Sequence, residues 1–190
     1  MEHAFPCGNP ALDFVGTLRA RRNAAPLEKL SSPGSLDAWF RESGVVDGTT
    51  ASQPADVTTA LTLREAIYTL VAAKLANESY DEGAIAVINR AARMPSTVPQ
   101  LTKTGRRMEG STEQGLSTVA RAAIGILSGP DADLLKECGR PECTQVYLDR
   151  SRGSRREWCA METCGNKMKA AAYRARKRGN PPLTPARAGS

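Results

Sequence analysis

The sequence predicts a mostly α-helical protein in two unequal parts, a helical N-terminal domain with a small β-hairpin and a short, separately stapled C-terminal module. Three observations lead there. Apolar residues recur at helical spacing, most regularly at Val57, Leu61, Leu63, Ala66, Ile67, Leu70, Val71 and Leu75. Four of the five cysteines fall within residues 138–164. Charge divides at the same place: residues 138–190 hold 12 Lys plus Arg against four acids, a net +8, whereas residues 1–137 hold 14 basic and 16 acidic side chains, a net −2.

At 190 residues the chain suffices for one ordinary domain plus an appendage too small to fold without a metal or disulfide. A composition 41% hydrophobic and 24% charged can bury a core. The start, MEHAFPCGNP, shows no basic segment leading into an apolar run, and no stretch nears the roughly 18 apolar residues of a membrane span. A cytoplasmic protein without a membrane partner is expected. The charge asymmetry points to a polyanion, nucleic acid ahead of a membrane surface, as partner of the C-terminal part.

Taken in order, Leu12, Phe14, Val15 and Leu18 suit a short helix or strand, and Arg19–Arg22 is a basic cluster. Ser35 is the expected N-cap of a helix LDAWFRES that Gly44 stops, with Leu36, Trp39 and Phe40 on one face. Pro54 to about Asn77 is a long helix. Asp81 caps another, ended by Pro95, and the two should form an antiparallel hairpin. Residues 96–110 lose helical periodicity, and TVPQLTKTGRRMEG predicts a β-hairpin around Gly105. Glu113 to about Leu127 is the last long helix, before Gly129, Pro130 and a linker. The Pro-rich NPPLTPARAGS at the end is expected to be disordered.

The cysteines read C-x4-C-x15-C-x4-C, as CGRPEC at 138–143 and CAMETC at 159–164. A short turn between paired cysteines lets both thiolates reach one tetrahedral ion, so Cys138, Cys143, Cys159 and Cys164 are the expected ligands of one structural Zn²⁺. Two disulfides, four unrelated buried cysteines or an iron site are the alternatives. Four thiolates leave no open position for substrate, and the metal reads as structural. Between the pairs, QVYLD and RREWC look like two strands joined at Gly153. NKMKAAAYRARKR then reads as a helix whose Met168, Ala171, Ala172 and Ala175 form an apolar stripe. This order is that of a treble-clef-like zinc finger. Arg155, Arg156 and Lys167 would partly offset the thiolate charge, and with Lys169, Arg174, Arg176, Lys177 and Arg178 they are the candidate nucleic-acid contacts. Tyr147 and Trp158 read as packing for a minimal core ahead of base stacking.

The run from Cys138 to Arg178 resembles the CGNR zinc-finger family, through Trp158-Cys159-Ala160-Met161 and Cys164-Gly165-Asn166-Lys167. Lys167 stands for the final arginine of that signature and gives up its bidentate fork. Ala160 replaces the usual serine. Upstream, Ala11-Leu12-Asp13-Phe14-Val15-Gly16-Thr17 and Leu63-Arg64-Glu65-Ala66 resemble the ABATE domain, with Gly16 where relatives commonly have asparagine. The resemblance implies a stress-induced transcription regulator. The parts are then an ABATE-like helical domain at 1–130, a CGNR-type finger with its basic helix at 131–179, and the tail at 180–190.

Other residues bear less chemistry. Cys7 reads as a small buried hydrophobe, and His3 is the single histidine. Serine-hydrolase and phosphate-loop motifs are missing from the sequence, so no catalytic residue is assigned and the chain is not expected to be an enzyme. Asp13 and Arg64 form either a structural salt bridge or the lining of a ligand pocket for a small-molecule or protein effector. The expected function is DNA binding in transcription regulation. RNA binding and a zinc-stabilised protein-interaction module are the alternatives.

Overall fold

Prolines and hydroxyl side chains set where most of the helices begin. The computed structural model describes residues 3–179, so the tail at 180–190 lies outside the described residues. Helix α1 (Pro10–Val15) starts where Asn9 accepts the Ala11 N–H at 2.8 Å. Strands β1 (Leu18–Arg19) and β2 (Leu27–Glu28) pair antiparallel. Helix α2 (Pro33–Ser43) begins earlier than its apolar face suggests: the cap is Ser32, whose hydroxyl accepts the Ser35 N–H at 3.2 Å. Pro33 fits the first helical position because no N–H is needed there. Gly44 closes this helix at φ +70.

Helix α3 (Pro54–Ala76) ends at Asn77 in the left-handed region, and α4 (Glu82–Ala92) is capped by Asp81, which accepts the Ala84 N–H at 2.7 Å. The expected hairpin is present as β3 (Val98–Thr102) and β4 (Gly105–Glu109), turning through Lys103 and Thr104. Ser111 and Gln114 cap each other's amides at the start of α5 (Thr112–Leu127).

Helices α3, α4 and α5 pack on one another, α1 lies against α3 and α5, and α2 against α3. Their core centres on Trp39, which meets Phe14 edge-on at 4.8 Å and Phe40 at 5.6 Å. Gly115 lets the Phe40 ring reach the α5 backbone; a Cβ there would sit 2.6 Å from that ring.

The expected linker after Pro130 is ordered structure, a 3₁₀ turn (Pro130–Leu134) leading into β5 (Leu135–Glu137). Strand β5 pairs with β6 (Val146–Leu148), from Leu135↔Leu148 to Glu137↔Val146. A π-type turn (Met161–Gly165) then runs into α6 (Asn166–Lys177). The C-terminal module shares one buried cluster with the helices, which includes Cys7, Phe14, Val146, Tyr147 and all four clustered cysteines. Among the described residues no helix is long and apolar enough to cross a membrane.

Candidate metal centre and basic helix

The first cysteine pair sits on the loop that β5 and β6 carry. Cys138 donates its N–H to Gln145 O at 2.9 Å, extending the ladder by a step, and Cys143 N–H closes a tight turn on Arg140 O at 2.8 Å. Gly139 N–H reaches Glu157 O at 2.9 Å and so brings up the segment with the second pair. The four Sγ atoms lie within 4.8 Å of one another and all four residues are buried. Cys143 and Cys159 are 3.8 Å apart and Cys159 and Cys164 3.6 Å. A tetrahedron with Zn–S bonds near 2.3 Å has edges of about 3.8 Å. The cysteines are free of disulfides, and the donor set fits a single structural Zn²⁺.

Without a cation one thiol ionises at the expense of its neighbours. Hydrogen bonds from Cys143 and Cys159 hold Cys138 down at about 2. Its proximity pushes Cys143 up to about 12, and Cys159 also well above the usual thiol range. A divalent ion removes this conflict by binding all four as thiolates, which makes metal affinity fall in acid. Sequence reasoning missed Arg140, whose guanidinium pKa burial would lower but the nearby Cys164 and Cys143 thiolates raise. Its place between the first two ligands was the available signal.

The predicted second strand of this module is not one. RREWC is loop, and the partner of QVYLD is the segment before the first cysteine. The buried Asp149 carboxylate explains the difference. It accepts the N–H groups of Ser151 at 3.0 Å and Arg156 at 3.1 Å, along with Lys136 Nζ at 2.8 Å, and so takes an amide that a strand would have paired. Burial alone would raise its pKa, but the bonds from Lys136 and Ser151 hold it at about 2. Gly165 N–H bonds to Ala160 O at 3.1 Å and so closes the turn that carries Cys164.

The candidate nucleic-acid contacts separate. Lys167, Lys169, Arg174, Arg176, Lys177 and Arg178 are all exposed on α6 or its C-terminal cap, and Arg155 is exposed on the loop. Arg156 turns inward. Its guanidinium stacks 4.3 Å over the Tyr147 ring and donates to Trp158 O at 2.9 Å, Pro6 O at 2.9 Å and Cys159 O. It is a clamp across the metal module, not a free cation. Tyr147 is fully buried and Trp158 half-buried against the core, as packing. The α6 stripe of Met168, Ala171, Ala172 and Ala175 is only half-buried, so this helix stands out from the body.

Asp13 and Arg64 do not meet. Arg64 is 3% exposed and holds Glu28 through both terminal nitrogens at 2.6 and 2.7 Å, with Glu65 at 2.8 Å and Thr17 at 3.2 Å. Asp13 is 7% exposed and accepts the Cys7 N–H at 2.9 Å. Burial pushes the Asp13 carboxyl up to about 6. The fully buried Cys7 thiol is pushed well up by burial, which leaves it inert.

The fold and site define a class: a mostly helical protein ending in a four-cysteine zinc finger with an exposed basic helix. The family profile for ABATE, described as "Putative stress-induced transcription regulator", matches residues 8–130, and that for the CGNR zinc finger matches residues 135–177. The chain therefore belongs to the ABATE family and carries a CGNR zinc finger. One profile is described as a regulator and the other as a zinc finger. No curated protein matches the chain significantly.

Proposed function

We propose that this protein is a cytoplasmic, DNA-binding transcriptional regulator in which the finger at 131–179 presents α6 to the phosphate backbone and the helical part at 1–130 responds to an effector. One observation carries the reading: six cations on or just after α6 are exposed and make no ion pair among the described residues. A reducing compartment suits four thiols kept for a metal. The effector role does not rest on Asp13 and Arg64, whose partners are internal. A groove of about 340 Å³ between α3, α4 and α5, walled by Leu63, Val87, Ala91, Met94 and Leu116, has the size of a small-molecule site.

The test uses the full-length, zinc-loaded protein and a labelled random-sequence DNA duplex, with duplex RNA as competitor, over a range of salt. Binding should weaken steeply with salt, and Arg174→Ala with Arg178→Ala should reduce the logarithmic salt slope by about two. A chelator should abolish binding. Absence of salt-dependent binding would overturn the proposal. A zinc-held protein-docking surface is the second reading, favoured by the exposure of Met161 and Tyr173 beside the cations. It requires a partner whose binding survives loss of the basic side chains.

A further inference from the structure

The β3–β4 ribbon contributes almost nothing to the core. Nine of its ten residues are exposed, Met108 being half-buried, and Leu101 is 93% exposed. A two-stranded ribbon of this kind is marginal by itself. Its base is nonetheless firmly held: Met108 donates to the Asp47 carboxylate at 2.5 Å and accepts the Asp47 N–H at 2.9 Å, while Gln114 donates to Ser96 O at 3.2 Å. The structure therefore keeps a projecting finger, about 17 Å long at the rise of a strand, that the core does not need.

The finger is a basic island on a part of the chain that is otherwise slightly acidic. It carries Lys103, Arg106 and Arg107 against Glu109 alone. Of the three, only Arg107 makes an ion pair among the described residues, with Glu109 at 3.9 Å. Cross-strand partners project to the same side. The register places Arg106 with Leu101 on one face and Arg107 with Gln100 on the other, with Lys103 at the turn. A membrane surface or a flat protein face would be matched by cations on one side. Cations on both sides and at the tip match two anionic walls.

Pairing with a second copy through the strand edges is disfavoured. Pro99 has no N–H to offer a further strand on the β3 edge, and Asp47 already takes the outward groups of Met108 on the β4 edge.

We propose that the β3–β4 ribbon enters the major groove of duplex DNA turn first, with Arg106 and Arg107 on its opposite faces reaching the two phosphate walls and Lys103 at the turn leading into the groove. The groove of B-form DNA is about 12 Å wide and admits a two-stranded ribbon, whereas that of A-form RNA is too deep and narrow. The inference rests on the nucleic-acid reading above but uses a separate surface. The ribbon leads into the N-terminal end of α5 and the metal module follows its C-terminal end, a separation of about 24 Å for a 16-residue helix.

The experiment compares zinc-loaded full-length protein with Lys103→Ala/Arg106→Ala/Arg107→Ala and, as a charge control, with Arg90→Ala, an exposed change on α4. A labelled 30-base-pair random duplex, the same sequence as duplex RNA, and anionic phospholipid vesicles are the probes. The triple variant should keep the thermal midpoint, bind duplex DNA at least tenfold more weakly at about 0.1 M salt, and lose two to three units of salt slope. DNA binding by wild type that the triple variant preserves overturns this proposal alone. Equal losses for Arg90→Ala, or a loss seen only with vesicles or RNA, also overturn it. Failure of wild type to bind any nucleic acid overturns both readings.

Discussion

Arg155 and Arg156 are neighbours with opposite fates, which shows how little a residue's charge says of its use. Arg155 is exposed, while Arg156 spends its donors on Pro6, Trp158 and Cys159 carbonyls. Asp13 has an equally specific consequence at this scale. Its folded pKa of about 6 lies above that of an unfolded aspartate, near 3.9, so the native state holds the extra proton between those values. The contribution of this group to stability is full below about pH 4 and is lost as pH rises towards 6. Asp13→Asn keeps an acceptor for the Cys7 N–H without the buried charge. Relative to wild type it should gain on the order of 2–3 kcal/mol between pH 4 and pH 7. Urea unfolding of both proteins at each pH reads this as a difference, in which loss of metal common to both cancels. A pH-independent difference would refute the assignment.

At the scale of elements, the meeting of α2 and α5 is decided by one missing side chain. Replacing glycine by alanine inside a helix ordinarily adds about 1 kcal/mol. At Gly115 the new methyl would lie 2.6 Å from the Phe40 ring, which is itself fully buried against Trp39. Overpacking of this kind costs roughly 1–3 kcal/mol and outweighs the propensity gain. Gly115→Ala should therefore lower the thermal midpoint by several degrees in a chain of this size. A midpoint equal to or above wild type would show that the interface has slack. Gly125, in the same helix, has open space around its Cβ position and is the matched control, where alanine should be neutral or stabilising.

The whole molecule is joined at a seam where the metal module and the helical part share polar contacts. The Gln145 side chain, two residues after a zinc ligand, donates to Gly16 O at 3.2 Å and lies 3.4 Å from Cys7 Sγ. It occupies the space a Cβ on Gly16 would need, 2.2 Å from its Oε1. Leu148 N–H reaches Cys7 O at 3.2 Å, and Arg22 binds Glu137 at 2.5 and 2.9 Å across the same boundary. Gly16→Ala should cost about 1–2 kcal/mol in wild type and less than half of that in a Gln145→Ala background. Chelation of the zinc should erase this coupling, because the metal fixes the loop that carries Gln145. Unfolding curves of the four proteins, with and without chelator, supply the cycle, and additive single changes would sink the idea.

What the sequence by itself determined is whatever is encoded within a few residues. Caps at Asp81 and Asn77, apolar spacing along α3 and α5, and the turn before Gly105 are local, since their physics acts between i and i+4 or across one turn. The zinc ligands belong here too, because metal geometry restricts the spacing of paired thiols. Tertiary structure decided the partners. Strand β6 could have paired forwards with RREWC or backwards with Leu135–Glu137, and only the buried Asp149 carboxylate, by taking the Arg156 N–H, selects the second. Arg64 could have met Asp13, yet Glu28 is the carboxylate that the β1–β2 segment carries to it. Those choices depend on which groups share a low-dielectric interior, where an unpaired charge or amide is too costly to leave, and chain order does not state that.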